Sequence, residues 1–211
     1  AEVMLDGRKR IAFFDAAGKR RGLLASDTGD DADPQWSPDG TALPFRSSRS
    51  GHWELHRGDA SGNGATLLTS DPGNDAVSKH DYGGEGPARW SPDGKLAYAV
   101  SPGGGYNAQL FIGTPDGAPA TRINEGEANP FPGDFAPDGR YYFRSNARSA
   151  ESTDTWLYDP ATGKAKLAVE METVGEIDDM QGHLAVVNRL VTRGNNNLWL
   201  EDLRSHRSML L

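Results

Sequence analysis

The sequence predicts an all-β fold, a β-propeller of four-stranded antiparallel blades, about five in number, and three observations carry that reading. The pentapeptide Trp36-Ser37-Pro38-Asp39-Gly40 returns intact as Trp90-Ser91-Pro92-Asp93-Gly94 and, weakened, as Phe135-Ala136-Pro137-Asp138-Gly139. Repetition at this spacing marks small sheets that bury their faces against neighbours. Apolar residues come in short runs without helical periodicity, and 26 glycines, 13 prolines and a mean hydropathy of −0.64 over 211 residues suit many strands joined by tight turns.

Each Pro-Asp-Gly has a mechanical role. Proline presets φ at the second position of a type I turn, aspartate suits the third, and glycine takes the left-handed fourth, so the chain reverses between two strands. The aromatic before the turn is expected to end the incoming strand and pack between sheets.

Aligned on these turns, the repeat reads as four strands. The first unit, from Pro34 to Asp75, has strands expected near 35–36, 42–46, 53–57 and 65–69. The second, from Pro87 to Glu127, has them near 88–90, 96–100, 109–113 and 120–123. The third, from Pro132 to Glu172, runs through 141–144, 155–158 and 166–169. Towards the C-terminus, 176–180, 184–188, 197–201 and 208–211 make a degenerate unit in which Gln181-Gly182 replaces the turn. At the N-terminus 3–5, 11–16 and 21–25 supply three strands and the inner one is absent. The count is four blades plus most of a fifth, in one domain over 1–211. Closure commonly shares a blade between chain ends. Here the ring closes imperfectly, or the chain is part of a longer propeller, or a partner supplies the missing strand.

Composition excludes several classes. The absence of cysteine rules out disulfides, thiolate metal sites and a cysteine nucleophile. A net charge of −8 argues against nucleic acid, because phosphate-backbone binding needs a basic stripe. No apolar run reaches membrane-spanning length, and Ala1-Glu2-Val3-Met4-Leu5 has no signal-segment character.

With Phe45-Arg46-Ser47-Ser48-Arg49-Ser50-Gly51 following the first Trp-Ser-Pro-Asp-Gly turn, the chain resembles the TolB-like propeller repeat family over about Ile11 to Asp159. The same repeats occur in propeller domains of prolyl-oligopeptidase-type serine peptidases. The resemblance implies an extracytoplasmic protein, periplasmic or extracellular, that binds other proteins. The separate N-terminal domain of TolB itself is not found here.

In a four-stranded blade the loops between strands two and three, and the blade-to-blade connections, lie on one face. The connections 26–33, 70–86, 124–129 and 170–176 carry Asp27, Asp30, Asp31, Asp33, Asp71, Asp75, Asp81, Glu85, Glu125, Glu127, Glu170, Glu172 and Glu176 against a single Lys79. That gathering predicts a negative rim that attracts a cation or a basic partner, the alternative being carboxylates that merely solvate loops. Arg49, Arg148, Arg189 and Arg193 on the other loops of that face are expected to pair with acids across the rim and set a partner's orientation. The longest connection, 70–86, exceeds what joining two blades requires, and its Lys79-His80-Asp81-Tyr82 suits an interface anchor. The partner-binding candidates are therefore Asp27, Asp30, Asp31, Asp71, Asp75, His80, Asp81, Tyr82, Glu85 and Arg148.

No cofactor is expected. Calcium is the metal that the abundant carboxylates suit, but Asp27, Asp30, Asp31 and Asp33 lack the spacing of a twelve-residue calcium loop. His52, His56, His80, His183 and His206 lack paired zinc spacing. No Gly-x-Ser-x-Gly elbow or phosphate-binding loop occurs. The sequence thus reads as a non-enzymatic extracytoplasmic binding or assembly subunit that docks a protein through its acidic loop face. The alternative is a propeller domain of a hydrolase or polysaccharide lyase that gates substrate at a central pocket.

Overall fold

The computed structural model describes residues 1–26, 28–51, 53–59, 61–69, 74–77, 88–102, 108–116, 118–124, 126, 128–171, 175–192 and 195–211, with backbone only at 74–77, 102 and 192. The fold is all-β, and each of its five antiparallel sheets is built from a consecutive stretch of chain, as propeller blades are. By compactness the chain divides into two units where the repeat reading treats it as one domain. One comprises Ala1–Trp90 with Gly94–Thr121, the other Ser91–Asp93 with Arg122–Leu211. Among the described residues no helix is long and apolar enough to cross a membrane.

The first sheet holds β1 (Glu2–Leu5), β2 (Arg8–Phe14) and β3 (Arg20–Leu23) in that order. The second holds β4 (Asp31–Ala32), β5 (Ala42–Ser47), β6 (Glu54–Asp59) and β7 (Thr66–Leu67). Just as β6 packs against the first strand of the sheet that follows it, β2 packs against β4. The strand absent from the first sheet is therefore the inner one, as the sequence predicts.

The third sheet departs from expectation. Its order is β12 (Thr121–Arg122), β11 (Gln109–Gly113), β10 (Leu96–Pro102) and β8 (Asn74–Val77), with β9 (Ala88–Trp90) also pairing with β10. Leu96 to Tyr98 pair with β9, while Ala99 to Pro102 pair with β8. The long connection over 70–86 is thus corrected: four of its residues belong to the ladder, and the first strand is supplied in two pieces, β8 and β9. Two other first strands are interrupted at the same place on a smaller scale, by register shifts between Phe131 and Asp134 and between Ile177 and Asp179. Irregularities of this kind re-aim a strand locally.

The fourth sheet is β13 (Pro130–Phe135), β14 (Tyr141–Ser145), β15 (Asp154–Asp159) and β16 (Lys164–Val169). The fifth is β17 (Gly175–Gln181), β18 (Leu184–Thr192), β19 (Asn195–Asp202) and β20 (Arg207–Leu210). Between them a core forms from Tyr142, Leu157, Val169, Met171, Ile177, Met180 and Val187. In the first unit Ile11, Leu24, Leu43 and Phe45 make one cluster, and Leu55, Ala88 and Leu96 another.

The turns form as predicted. The Gly40 amide donates to the Ser37 carbonyl at 2.9 Å, and Gly40 has φ 70°. Serine adds a contribution that turn propensity alone does not reveal. Its hydroxyl donates to Asp39 at 2.6 Å and accepts from the Ala42 amide at 2.9 Å, and these bonds with Thr41 hold the exposed Asp39 carboxyl below its ordinary range. Where Ala136 replaces serine, the Arg140 guanidinium binds Asp138 instead.

Two of the aromatics before the turns do meet the neighbouring sheet, Trp90 packing against the cluster that includes Leu55 and Trp36 against Phe13, but less deeply than expected. Trp36 is 44% exposed, its ring lying against Phe13, and Trp90 and Phe135 are only half-buried. The inward position belongs to the next residue, Ser37, Ser91 or Ala136, all buried. Strand alternation explains it: if the residue after the aromatic points inward, the aromatic lies at the margin.

Candidate functional site

The loop joining β5 to β6 is held by a buried ion pair. Asp31 and Ser47 face each other across β4 and β5. The Asp31 carboxylate, 0% exposed, accepts from the Ser47 hydroxyl at 2.6 Å and from Arg49 Nη2 at 2.9 Å, while Arg49 Nε donates to the Ser47 oxygen at 2.8 Å. Beside it Arg46 Nε donates to Asp33 at 2.6 Å and its guanidinium lies 4.8 Å over the Trp53 ring. Glycine is required at position 29. At φ 66°, any Cβ there would come within 2.6 Å of the Arg49 amide nitrogen. The 28–31 segment is thereby pressed against the loop, and the Asp30 amide donates to the Ser48 hydroxyl at 2.8 Å.

The same device recurs in the second unit, in the loop joining β14 to β15. Arg148 forks onto Asp154, Nε to Oδ2 at 2.7 Å and Nη2 to Oδ1 at 2.8 Å, and also donates to the Met171 carbonyl at 3.2 Å. The Met171 amide donates to Asp154 Oδ1 at 2.8 Å, so one carboxylate ties the loop to the connection after β16. Burial pushes the Asp154 carboxyl up, but the Arg148 fork and the Met171 amide outweigh it and hold the group below the ordinary 3.8. The arginine is raised in turn by the same carboxylate.

Of the candidate partner-binding residues, Asp27, Asp71, His80, Asp81, Tyr82 and Glu85 lie outside the described residues. Asp75 stands on β8 opposite Ser101, a ladder position and not a loop. Asp30 is half-buried and accepts from the Lys9 amide at 2.9 Å. Asp31 is corrected from a partner-facing to an internal residue, since its carboxylate is enclosed with Ser47 and Arg49. Arg148 stays partly exposed, but its fork is committed to Asp154. The expected pairing of acid and arginine is met by Arg49 with Asp31 in one sheet and by Arg144 with Glu176 between two, whereas Arg148 and Arg189 take Asp154 and Glu201, and Arg193 lies outside the described residues. The pairs Arg49–Asp31, Arg46–Asp33, Arg148–Asp154 and Arg189–Glu201 each join a loop or strand to its own sheet.

Sequence reasoning missed Asp154, Ser47 and Glu54, whose Oε2 accepts from Ser50 at 2.6 Å. The signal was present in the repeat Arg46-Ser47-Ser48-Arg49-Ser50 against Arg144-Ser145-Asn146-Ala147-Arg148-Ser149.

His56 is buried and stacks on Phe45, and among the described residues its ring nitrogens have no hydrogen-bond partner, the Glu54 carboxylate standing 3.7 Å from Nε2. Burial, then the nearby Arg49 charge, lower its pKa from 6.5. A lowered histidine pKa means that the unfolded chain binds the proton more tightly, so stability is complete above about 6.5 and falls as the pH drops below it. Urea unfolding between pH 7.5 and 5 is expected to show that loss, and the variant His56→Phe to show a smaller one.

These loops are fixed by buried charge and present side chains at set positions, which suits recognition. The Ser47 hydroxyl is committed to a carboxylate in a closed position. Among the described residues no group of three or more histidines or carboxylates is placed to hold a metal ion, and each described carboxylate of the 30–33 segment already accepts from a protein donor.

No protein-family model and no curated protein matches the chain. Solved structures do. TolB from Acinetobacter baumannii is similar with a TM-score of 0.63 and 17% identity, over 96% of this chain and 48% of that one. A TolB structure from Agrobacterium tumefaciens gives 0.65 and 15% identity, over 99% of this chain and 75% of that one. A Mycobacterium tuberculosis puromycin-hydrolyzing peptidase gives 0.65 and 16%, over 93% of this chain and 31% of that one. The fold is a TolB-like β-propeller, and the chain spans about half the length of the first of these structures and under a third of the last.

Proposed function

We propose that the chain is a binding module that docks a protein partner outside the cytoplasm through the loop face, without chemistry of its own. The observation that supports this most is the pinning of two loops, one in each unit, by buried carboxylate–arginine bonds. Loops already held in one conformation lose little entropy when a partner binds, which favours affinity. The acidic connections supply the charge that steers a basic partner to that face.

Charge reversal must spare Asp31, whose loss would disturb the core. The variant Asp30→Lys/Asp81→Lys is expected to lose the partner that the wild-type chain captures from an extracytoplasmic extract, with an unchanged melting profile. Equal capture by both proteins would end the rim proposal.

A second reading is favoured by the likeness to part of the puromycin-hydrolyzing peptidase, in which this chain would be the propeller portion of a hydrolase that gates substrate. Sustained turnover of peptides or uronates by the chain, with or without divalent metal, would favour it over a pure binding module.

A further inference from the structure

A cavity of about 460 Å³ lies in the second unit, and Arg122, Ile123, Phe143, Ser145, Trp156 and Lys164 are among the residues that line it. Its volume is in the range of small-molecule sites, about 300–1,000 Å³.

The lining has a chemistry of its own. In a chain of net charge −8, the described residues around this cavity include two cations and no carboxylate. Arg122 is oriented by donation to the Gly126 carbonyl at 2.9 Å. Phe143 and Trp156 are register partners, so their rings stand side by side on one sheet face, and Ser145 is two residues along on the same face. Two cations beside an aromatic wall select a ligand with an anionic end and a flat apolar body, the charges supplying charge-assisted hydrogen bonds and the rings apolar contact.

We propose that this cavity binds a small planar organic carboxylate, its head against Arg122 and Lys164 and its ring against Trp156 and Phe143. The cavity reaches the loop face at Asn124 and Ala147, but binding of the carboxylate does not require that a protein dock there.

The test titrates the full chain with 2-naphthoate, 2-naphthalenemethanol and 2-naphthylmethylammonium and follows the Trp156 indole N–H resonance, assigned with Trp156→Phe. The expected result is a saturable shift with naphthoate and binding at least tenfold weaker for the alcohol and the ammonium. Raising the salt weakens naphthoate alone. The variant Lys164→Gln, at an exposed position, lowers naphthoate affinity severalfold, and Arg122→Gln/Lys164→Gln at least tenfold, with the remaining indole resonances unmoved. Equal shifts from all three probes, no saturation with naphthoate, or unchanged affinity in Lys164→Gln would overturn the assignment.

Discussion

The variant Gly133→Ala is expected to lose about 4 kcal/mol or more of stability, at the extreme end for a single methyl group. Gly133 sits in the register shift of β13 against β14. A Cβ built there would meet the Tyr142 carbonyl oxygen at 1.8 Å, its carbon at 2.7 Å and the Phe143 Cα at 3.0 Å. All three are backbone atoms of the neighbouring strand, so no rotamer change relieves the clash and the strands must part. The Gly133 amide also donates to the Tyr141 hydroxyl at 3.0 Å, a bond that parting would break. The control is Gly163→Ala, at φ 67° in an open turn with nothing within 4 Å, where only the left-handed backbone costs energy, about 1–2 kcal/mol. Urea unfolding of the two variants beside the wild type measures both, and equal losses would show that strand contact at Gly133 is not the cause.

Asp154→Ala is the second large effect, about 1–3 kcal/mol, the range for leaving a buried donor such as the Met171 amide without its acceptor. The substitution strands the Arg148 fork and leaves the Met171 amide without its acceptor. It also has a pH signature. Because the folded carboxyl is held below its ordinary 3.8, the contribution is fully present at neutral pH and is lost as the pH falls through and below that value. Asp154→Asn, which keeps the shape and removes the charge, is therefore expected to show its deficit at pH 7 and to converge with the wild type in acid. A deficit that does not change with pH would mean that packing, and not the charge, holds this loop.

The parts of the fold visible in the sequence are those set by local chemistry. The 109–113 strand is placed residue for residue, the Pro-Asp-Gly turns form with glycine at positive φ, and Gln181-Gly182 turns the fifth sheet with Gly182 at φ 61°. What escaped depends on contacts distant in sequence. The strand at Asn74–Val77 is four residues long and separated from β9 by ten others, so no continuous alternation announces it. Trp36 reads as core because it is large and apolar, while its burial is decided by which way the strand alternates at that point. Asp31 reads as a rim carboxylate because it belongs to an acidic run, and only the register that sets it opposite Ser47 reveals that it is internal. At the loop face the arginines were legible as a group, but their partners were fixed by hairpin geometry that spacing does not encode.

Hydrogen–deuterium exchange of the chain, free and bound to its captured partner, tests the binding reading most directly. Added protection is expected at 28–33, 48–51 and 146–151, with the turns at 38–41 and 160–163 exchanging as before. Protection confined to those turns would contradict it.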